Sequence, residues 1–265
     1  MFQNSFHIKR FSNALQYDLR LNAKKYISFV ASLFVILLLL NLFFIAQSGR
    51  RFNLDQYMTL FYFSFILGLV IVVGTSFPAL RDKKSTINYL MIPASVFEKF
   101  LIQFVIRILC FMILFVPFFW LDFKVADGIY HLIYWTGQVE IQSFNLLDPI
   151  DIKYLKALDV LAILCALFSL AAFLFVGSVY FKKYALPKTV FSFALFAVFV
   201  FVIFVIDTSI FYPEKFSFRK NPIYINDYKL SKNLINIQLF FYVIGFFSSL
   251  FLLPMAYFKL KEKEI

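Results

Sequence analysis

Six long apolar runs divide the chain: Ile27–Gln47, Tyr57–Phe77, Phe100–Leu121, Ala157–Phe181, Thr189–Phe211 and Asn236–Phe258. Each is near the length of about 20 residues that a helix needs to cross a bilayer. The runs are continuous, as in LFVILLLLNLFFIA and FSFALFAVFVFVIFVI. A membrane β-strand would instead alternate apolar and polar positions over about 10 residues. A helix satisfies its own backbone polar groups in lipid. The pattern therefore predicts an all-α, polytopic integral membrane protein with six transmembrane helices, forming one domain over 1–265. The first run follows a polar, basic leader and has no small-residue cleavage site after it, so it is expected as a retained span.

The polar blocks between the runs have patterns of their own. In 1–26, Ile8, Phe11, Leu15 and Leu19 share one stripe, while Lys9, Arg10, Asn13, Gln16 and Arg20 lie elsewhere. That spacing predicts an amphipathic helix lying in the membrane interface. Segment 78–99 begins RDKKST after Leu80, a polar start suited to helix capping near Ser85 or Thr86. A short helix from about Thr86 to Ile92 should break at Pro93, because proline disfavours helix in the residue before it. Ser95 then caps the next helix, with Glu98 three residues on as a capping box. The apolar residues of this segment suit either docking to another protein or dipping into lipid. Segment 182–188 (KKYALPK) reads as a tight basic turn. In 122–156, Gly137 can turn a hairpin with Val139 and Ile141 on one face. Tyr130, Tyr134 and Trp135 equally suit a membrane–water belt. Segment 212–235 is polar and contains Pro213 and Pro222.

Composition and charge sharpen this picture. The chain is 62% hydrophobic and only 15% charged, against about 25% charged in a soluble domain. With both ends on one side, segments 1–26, 78–99, 182–188 and 259–265 hold 15 of the 26 basic residues and 5 of the 15 acids. The opposite side is balanced. The positive-inside rule makes the basic side cytoplasmic, with both termini there. The net charge of +11 is thereby explained by topology and anionic lipid, and calls for no nucleic acid.

Chemistry-bearing patterns are sparse. The chain has no G-x-x-x-x-G-K-[ST] loop, no H-E-x-x-H and no G-x-S-x-G. His7 and His131 fall on opposite sides of the predicted membrane, so no metal site is expected. Cys110 and Cys165 lie inside spans and read as small buried hydrophobes. Ionisable or polar groups in spans are functional candidates by default. Asn41 in the first span is placed to bond across helices. Arg107 in the third either snorkels to the interface or pairs with an acid. Asp159 and Asp207 sit near outer span ends. Ser64 and Gly68, Ala162 and Ala166, and Gly245 and Ser249 are each four apart, a spacing that permits close helix approach within one chain or between two.

One stretch resembles a known family. YLMIPASVFEKFLIQFVIR, 89–107, is similar to the cytoplasmic loop and third span of ATP-binding-cassette (ABC) transporter permeases of the type-2 exporter superfamily. Ile92-Pro93-Ala94-Ser95 stands where that family ends its loop, and Glu98-Lys99 leads into the span. Arg81-Asp82-Lys83-Lys84 matches the polar stretch after span two. Val96 departs from many members, which carry an arginine after the serine. The resemblance is detailed over about 30 residues and extends loosely through the six-span plan. It implies a permease subunit of the bacterial cytoplasmic (inner) membrane, paired with itself or a second permease. A separate ABC ATPase subunit would bind ATP and Mg, and this chain would hold no cofactor. The residues implied to touch the ATPase are Asp82, Tyr89, Leu90, Ile92, Pro93 and Glu98. A connecting helix is implied for the N-terminal segment and a second, smaller ATPase contact for 182–188. A non-transporting scaffold or sensor subunit and an intramembrane enzyme are the readings outside this family.

Overall fold

The computed structural model describes residues 6–48, 51–81, 86–87, 89, 91–133, 140–150, 157–181, 183–211 and 236–263. Six of its helices are long and apolar enough to cross a membrane. They are α1 (Ile8–Gln47), α2 (Leu54–Gly74), α3 (Val96–Ile133), α4 (Ala157–Tyr180), α5 (Ala185–Phe211) and a sixth crossing. The sixth consists of α6 (Asn236–Phe247), a π-turn over Ser248–Leu252, and α7 (Leu253–Glu262). Among the described residues the fold is all-α apart from two-residue strands β1 (Arg51–Phe52) and β2 (Glu140–Ile141).

Two helices outrun their predicted spans. The N-terminal segment is not a separate helix: α1 is continuous over 40 residues. No Gly or Pro falls between Ile8 and Gln47, so nothing interrupts the backbone bonding. At 1.5 Å per residue α1 is about 60 Å long, roughly twice the hydrocarbon thickness. Of the expected apolar stripe, Ile8 and Leu19 are exposed. Helix α3 does not stop at Leu121. It continues to Ile133 and buries Asp122, Phe123, Ala126 and Tyr130. The first part of the expected external segment is therefore helix. Pro117 lies inside α3, and a π-turn occupies Val105–Leu109.

The hairpin expected around Gly137 falls on 134–139, outside the described residues. Just after it, β2 pairs in parallel with β1, Arg51 opposite Glu140 and Phe52 opposite Ile141. The segment 212–235 likewise lies outside the described residues.

Helix ends gather at two faces. At one, His7 and Arg10 meet Glu98, Phe97 meets Tyr257, and Lys263 Nζ donates to the Val179 carbonyl. At the other, the 140–150 segment covers the bundle. Trp120 Nε1 donates to the Phe144 carbonyl and Tyr62 Oη to that of Pro149.

Between the faces α2 and α3 interlock through rings. Phe61 and Phe65 interleave with Phe111, Phe115 and Phe119 at centroid distances of 5.1–5.8 Å. Tyr57 stacks on Phe144 at 4.4 Å. Such offset and edge contacts add to the burial of the rings themselves. Two of the small residues pack against neighbouring helices of this chain. A Cβ at Gly68 would lie 2.9 Å from Phe111, and one at Gly245 would lie 2.8 Å from the Cβ of Cys165 on α4. Helix α5, in contrast, exposes Phe191, Phe196, Phe199 and Phe201, as a lipid-facing surface does.

Candidate functional site

The segment ahead of α3 is built on Ser95. Its extended backbone (φ −68°, ψ 157°) sets the N-cap. Ser95 Oγ accepts from the Glu98 N–H at 3.2 Å, and Glu98 Oε2 accepts from the Ser95 N–H at 2.9 Å. The expected capping box is present. Glu98 does more than cap, however. Its Oε1 accepts from the His7 N–H at 3.0 Å, and Arg10 Nε reaches Oε1 at 3.0 Å and Oε2 at 2.7 Å. The Glu98 side chain has no exposed surface, while that of Arg10 is 27% exposed. A carboxylate so enclosed needs a cation and several donors to offset its lost hydration, and the start of α1 supplies them. Glu98 thus faces inward and fastens the foot of α3 to the foot of α1.

The residues before Ser95 form an outward shelf. Residues 86, 87 and 89 are helical. The Met91 N–H donates to the Ile87 carbonyl at 3.0 Å and that of Ala94 to Ile92 at 2.7 Å. Met91 is 76% exposed, and Pro93 is also exposed. Tyr89 is half-buried, with Lys99 Nζ 5.8 Å from its ring centre. Asp82 and Leu90 lie outside the described residues. Behind the shelf, Phe77 adopts φ 53°, an unusual conformation for a bulky residue. Burial against Phe175, 5.1 Å between centroids, holds it there. A cleft of about 1010 Å³ separates the shelf from α1. Ile92, Pro93 and Gln103 line one wall, and Arg10, Asn13 and Lys25 line the other.

Above this foot, two further polar contacts join α1 to α3. Arg107, in the π-turn, places its guanidinium carbon 5.3 Å from the Tyr26 ring centre. Tyr26 Oη in turn donates to Asp18 Oδ2 at 2.8 Å. The π-turn shifts the register of α3 at this residue, a common device at functional positions. Higher still, Asn41 Nδ2 donates to Asp122 Oδ2 at 2.6 Å, with both residues buried. Asn41 therefore bonds across helices, as its position suggested. Arg107 faces protein, with its Nε buried and unbonded among the described residues.

Sequence reading missed several members of this system, Arg10, Tyr26 and Asp122 among them. Arg10 stood in a run of basic residues that topology already explained. Asp122 stood at the edge of a polar stretch, LDFKVAD, that looked external. Only the apolar spacing of Phe123, Ala126 and Tyr130 could have shown that the helix continued with a buried face.

No family model, curated protein or solved structure matches the chain.

Proposed function

We propose that the chain is the membrane-spanning permease subunit of an ABC transporter, an exporter, working as a pair above separate ATPase subunits. It would lie in the bacterial cytoplasmic membrane with both termini and the 78–99 segment in the cytoplasm, where the basic residues concentrate. The observation that carries this reading is the shelf. Exposed apolar residues stand on a segment whose next helix is capped by Ser95 and tied to α1 by Arg10 and Glu98. A rigid apolar projection suits mechanical contact with a partner. Pressure on Ile92 or Pro93 would reach α3 through the cap and α1 through the Arg10–Glu98 ion pair. Supporting it further are the six crossings and the similarity of 89–107 to the loop and third span of type-2 exporter permeases. Tyr89, Leu90, Ile92, Pro93 and Asp82 would make the contact, and Glu98 would set its stiffness.

The test is purification of the tagged chain from its native host in mild detergent, with bound proteins assayed for ATP hydrolysis. The expected result is a stoichiometric ATPase that is lost from Ile92→Asp. In Pro93→Leu and Glu98→Arg, which insert normally, the ATPase is retained but its activity no longer responds to the permease. A chain that inserts and purifies with no nucleotide-binding partner would overturn the proposal and favour an intramembrane enzyme. A bound ATPase whose activity the permease never alters would favour the scaffold or sensor reading.

A further inference from the structure

The Asn41–Asp122 contact leaves two oxygens stranded. Asn41 Oδ1 and Asp122 Oδ1 are both buried and have no hydrogen-bond partner among the described residues. The residues are 1% and 0% exposed. Both stranded atoms are acceptors if Asp122 is ionised, so neither can satisfy the other. The one bond made, Nδ2 to Oδ2 at 2.6 Å, is half of a familiar arrangement. A primary amide and a carboxylic acid pair face to face through two bonds. The amide N–H donates to one acid oxygen, and the acid O–H donates to the amide oxygen. A single proton on Asp122 Oδ1 would supply the second bond and satisfy both stranded atoms.

Among the described residues, no second group bonds to either stranded oxygen. Leu37 and Ile45 flank Asn41 by one helical turn on α1, and Phe119 and Phe123 neighbour Asp122 on α3. On α2, Tyr57 packs against those two rings at 5.6 and 4.9 Å, and its buried Oη also has no partner among the described residues. Other titratable groups at this end include Asp55 and Tyr57 on α2, Lys124, Asp127, Tyr130 and His131 on α3, Asp148 in the covering segment, and Arg51 and Glu140. The last two bond to each other at 2.9 Å. None of these groups bonds to the Asp122 carboxyl among the described residues. An anion so enclosed, with one neutral donor, is poorly compensated.

We propose that Asn41 and Asp122 form a proton-binding site in which a neutral acid–amide pair joins α1 to α3. The proton comes from bulk water and is held between Asp122 Oδ1 and Asn41 Oδ1. Its loss would leave a buried anion facing the amide oxygen and would drive the two helices apart at this level. The site stands independently of the transporter reading.

Infrared difference spectroscopy of the full chain in lipid nanodiscs, with carboxyl-labelled aspartate, tests it. In mildly acidic buffer, where exposed carboxylates stay ionised, the wild type should show the carbonyl stretch of a protonated carboxylic acid, shifted in deuterium oxide and lost in Asp122→Asn. In Asn41→Leu the same band should move to the higher frequency of an acid without a partner. A wild-type spectrum with ionised carboxylates alone would overturn the proposal. So would a carboxyl signal that responds to sodium ions but not to pH. If Asp122→Asn does not assemble, Asn41→Leu decides: a displaced band supports the pair, and an unmoved band overturns it.

Discussion

Glu98 carries two duties whose removal separates experimentally. As a cap partner it accepts from the Ser95 N–H, and as an anchor it accepts from His7 and Arg10. Ser95→Ala removes only the cap acceptor, and loss of a helix cap costs about 1 kcal/mol. Glu98→Ala removes the carboxylate from both sets of donors, leaving the His7 and Ser95 N–H groups and the Arg10 guanidinium without it. The larger loss of thermal stability in detergent is therefore expected for Glu98→Ala. Trypsin distinguishes the two further. Cleavage at Lys9 and Arg10 should accelerate in Glu98→Ala and stay near wild type in Ser95→Ala. Equal cleavage of both variants would mean that the ion pair does not hold the start of α1. The cap was legible because its partners are three residues apart and the spacing itself is the signal. The anchor was not, because Arg10 and Glu98 are 88 apart in sequence and no local pattern links them.

Helix packing makes a second contrast, between two glycines in helix interiors. At Gly177 on α4 an added Cβ would overlap the buried side chain of Thr189 on α5, including its Cβ at 2.7 Å. At Gly128 on α3 it would meet nothing within 4 Å. Gly177→Ala should therefore push α4 and α5 apart and lower the unfolding temperature. Gly128→Ala should hold or raise it, because alanine is favoured over glycine in a helix by up to about 1 kcal/mol. Thermal unfolding in one detergent measures both, and a tolerated Gly177→Ala would mean that the α4–α5 contact is loose. The six long apolar helices were legible because bilayer thickness sets the length of an apolar run. The ends of α1 and α3 were not. Hydropathy reports which residues suit lipid, whereas a helix extends into polar sequence wherever a neighbour covers one of its faces. Arg10, Tyr26 and Asn41 on α1 meet Glu98, Arg107 and Asp122 on α3, and these contacts support both extensions.

Across the whole molecule, those contacts rise in step along both helices, so α1 and α3 run in the same direction from one face to the other. Two crossings in one direction require a return between them, which α2 provides, and they set which loops share a face. Met91, before α3, belongs with the N-terminus. Lys183, after α4, belongs there too, since Lys263 reaches Val179 at the same level. Glu140, paired with Arg51 after α1, belongs opposite. Single cysteines at these positions give the fold a side-resolved test, because Met91 is 76% exposed, the Glu140 side chain is 74% exposed and Lys183 is exposed. The half-buried native Cys110 and Cys165 set the background. A membrane-impermeant thiol reagent applied to intact cells should label Glu140→Cys, and should reach Met91→Cys and Lys183→Cys only after permeabilisation. Labelling Met91 and Glu140 from one side would contradict the alternation of helices. The opposite orientation, with Met91 and Lys183 labelled from outside, would preserve the fold but remove the shelf from the compartment that holds ATP. That outcome would end the transporter reading while leaving the proton site untouched, because the Asn41–Asp122 pair depends on burial between α1 and α3 and not on which way the bundle faces.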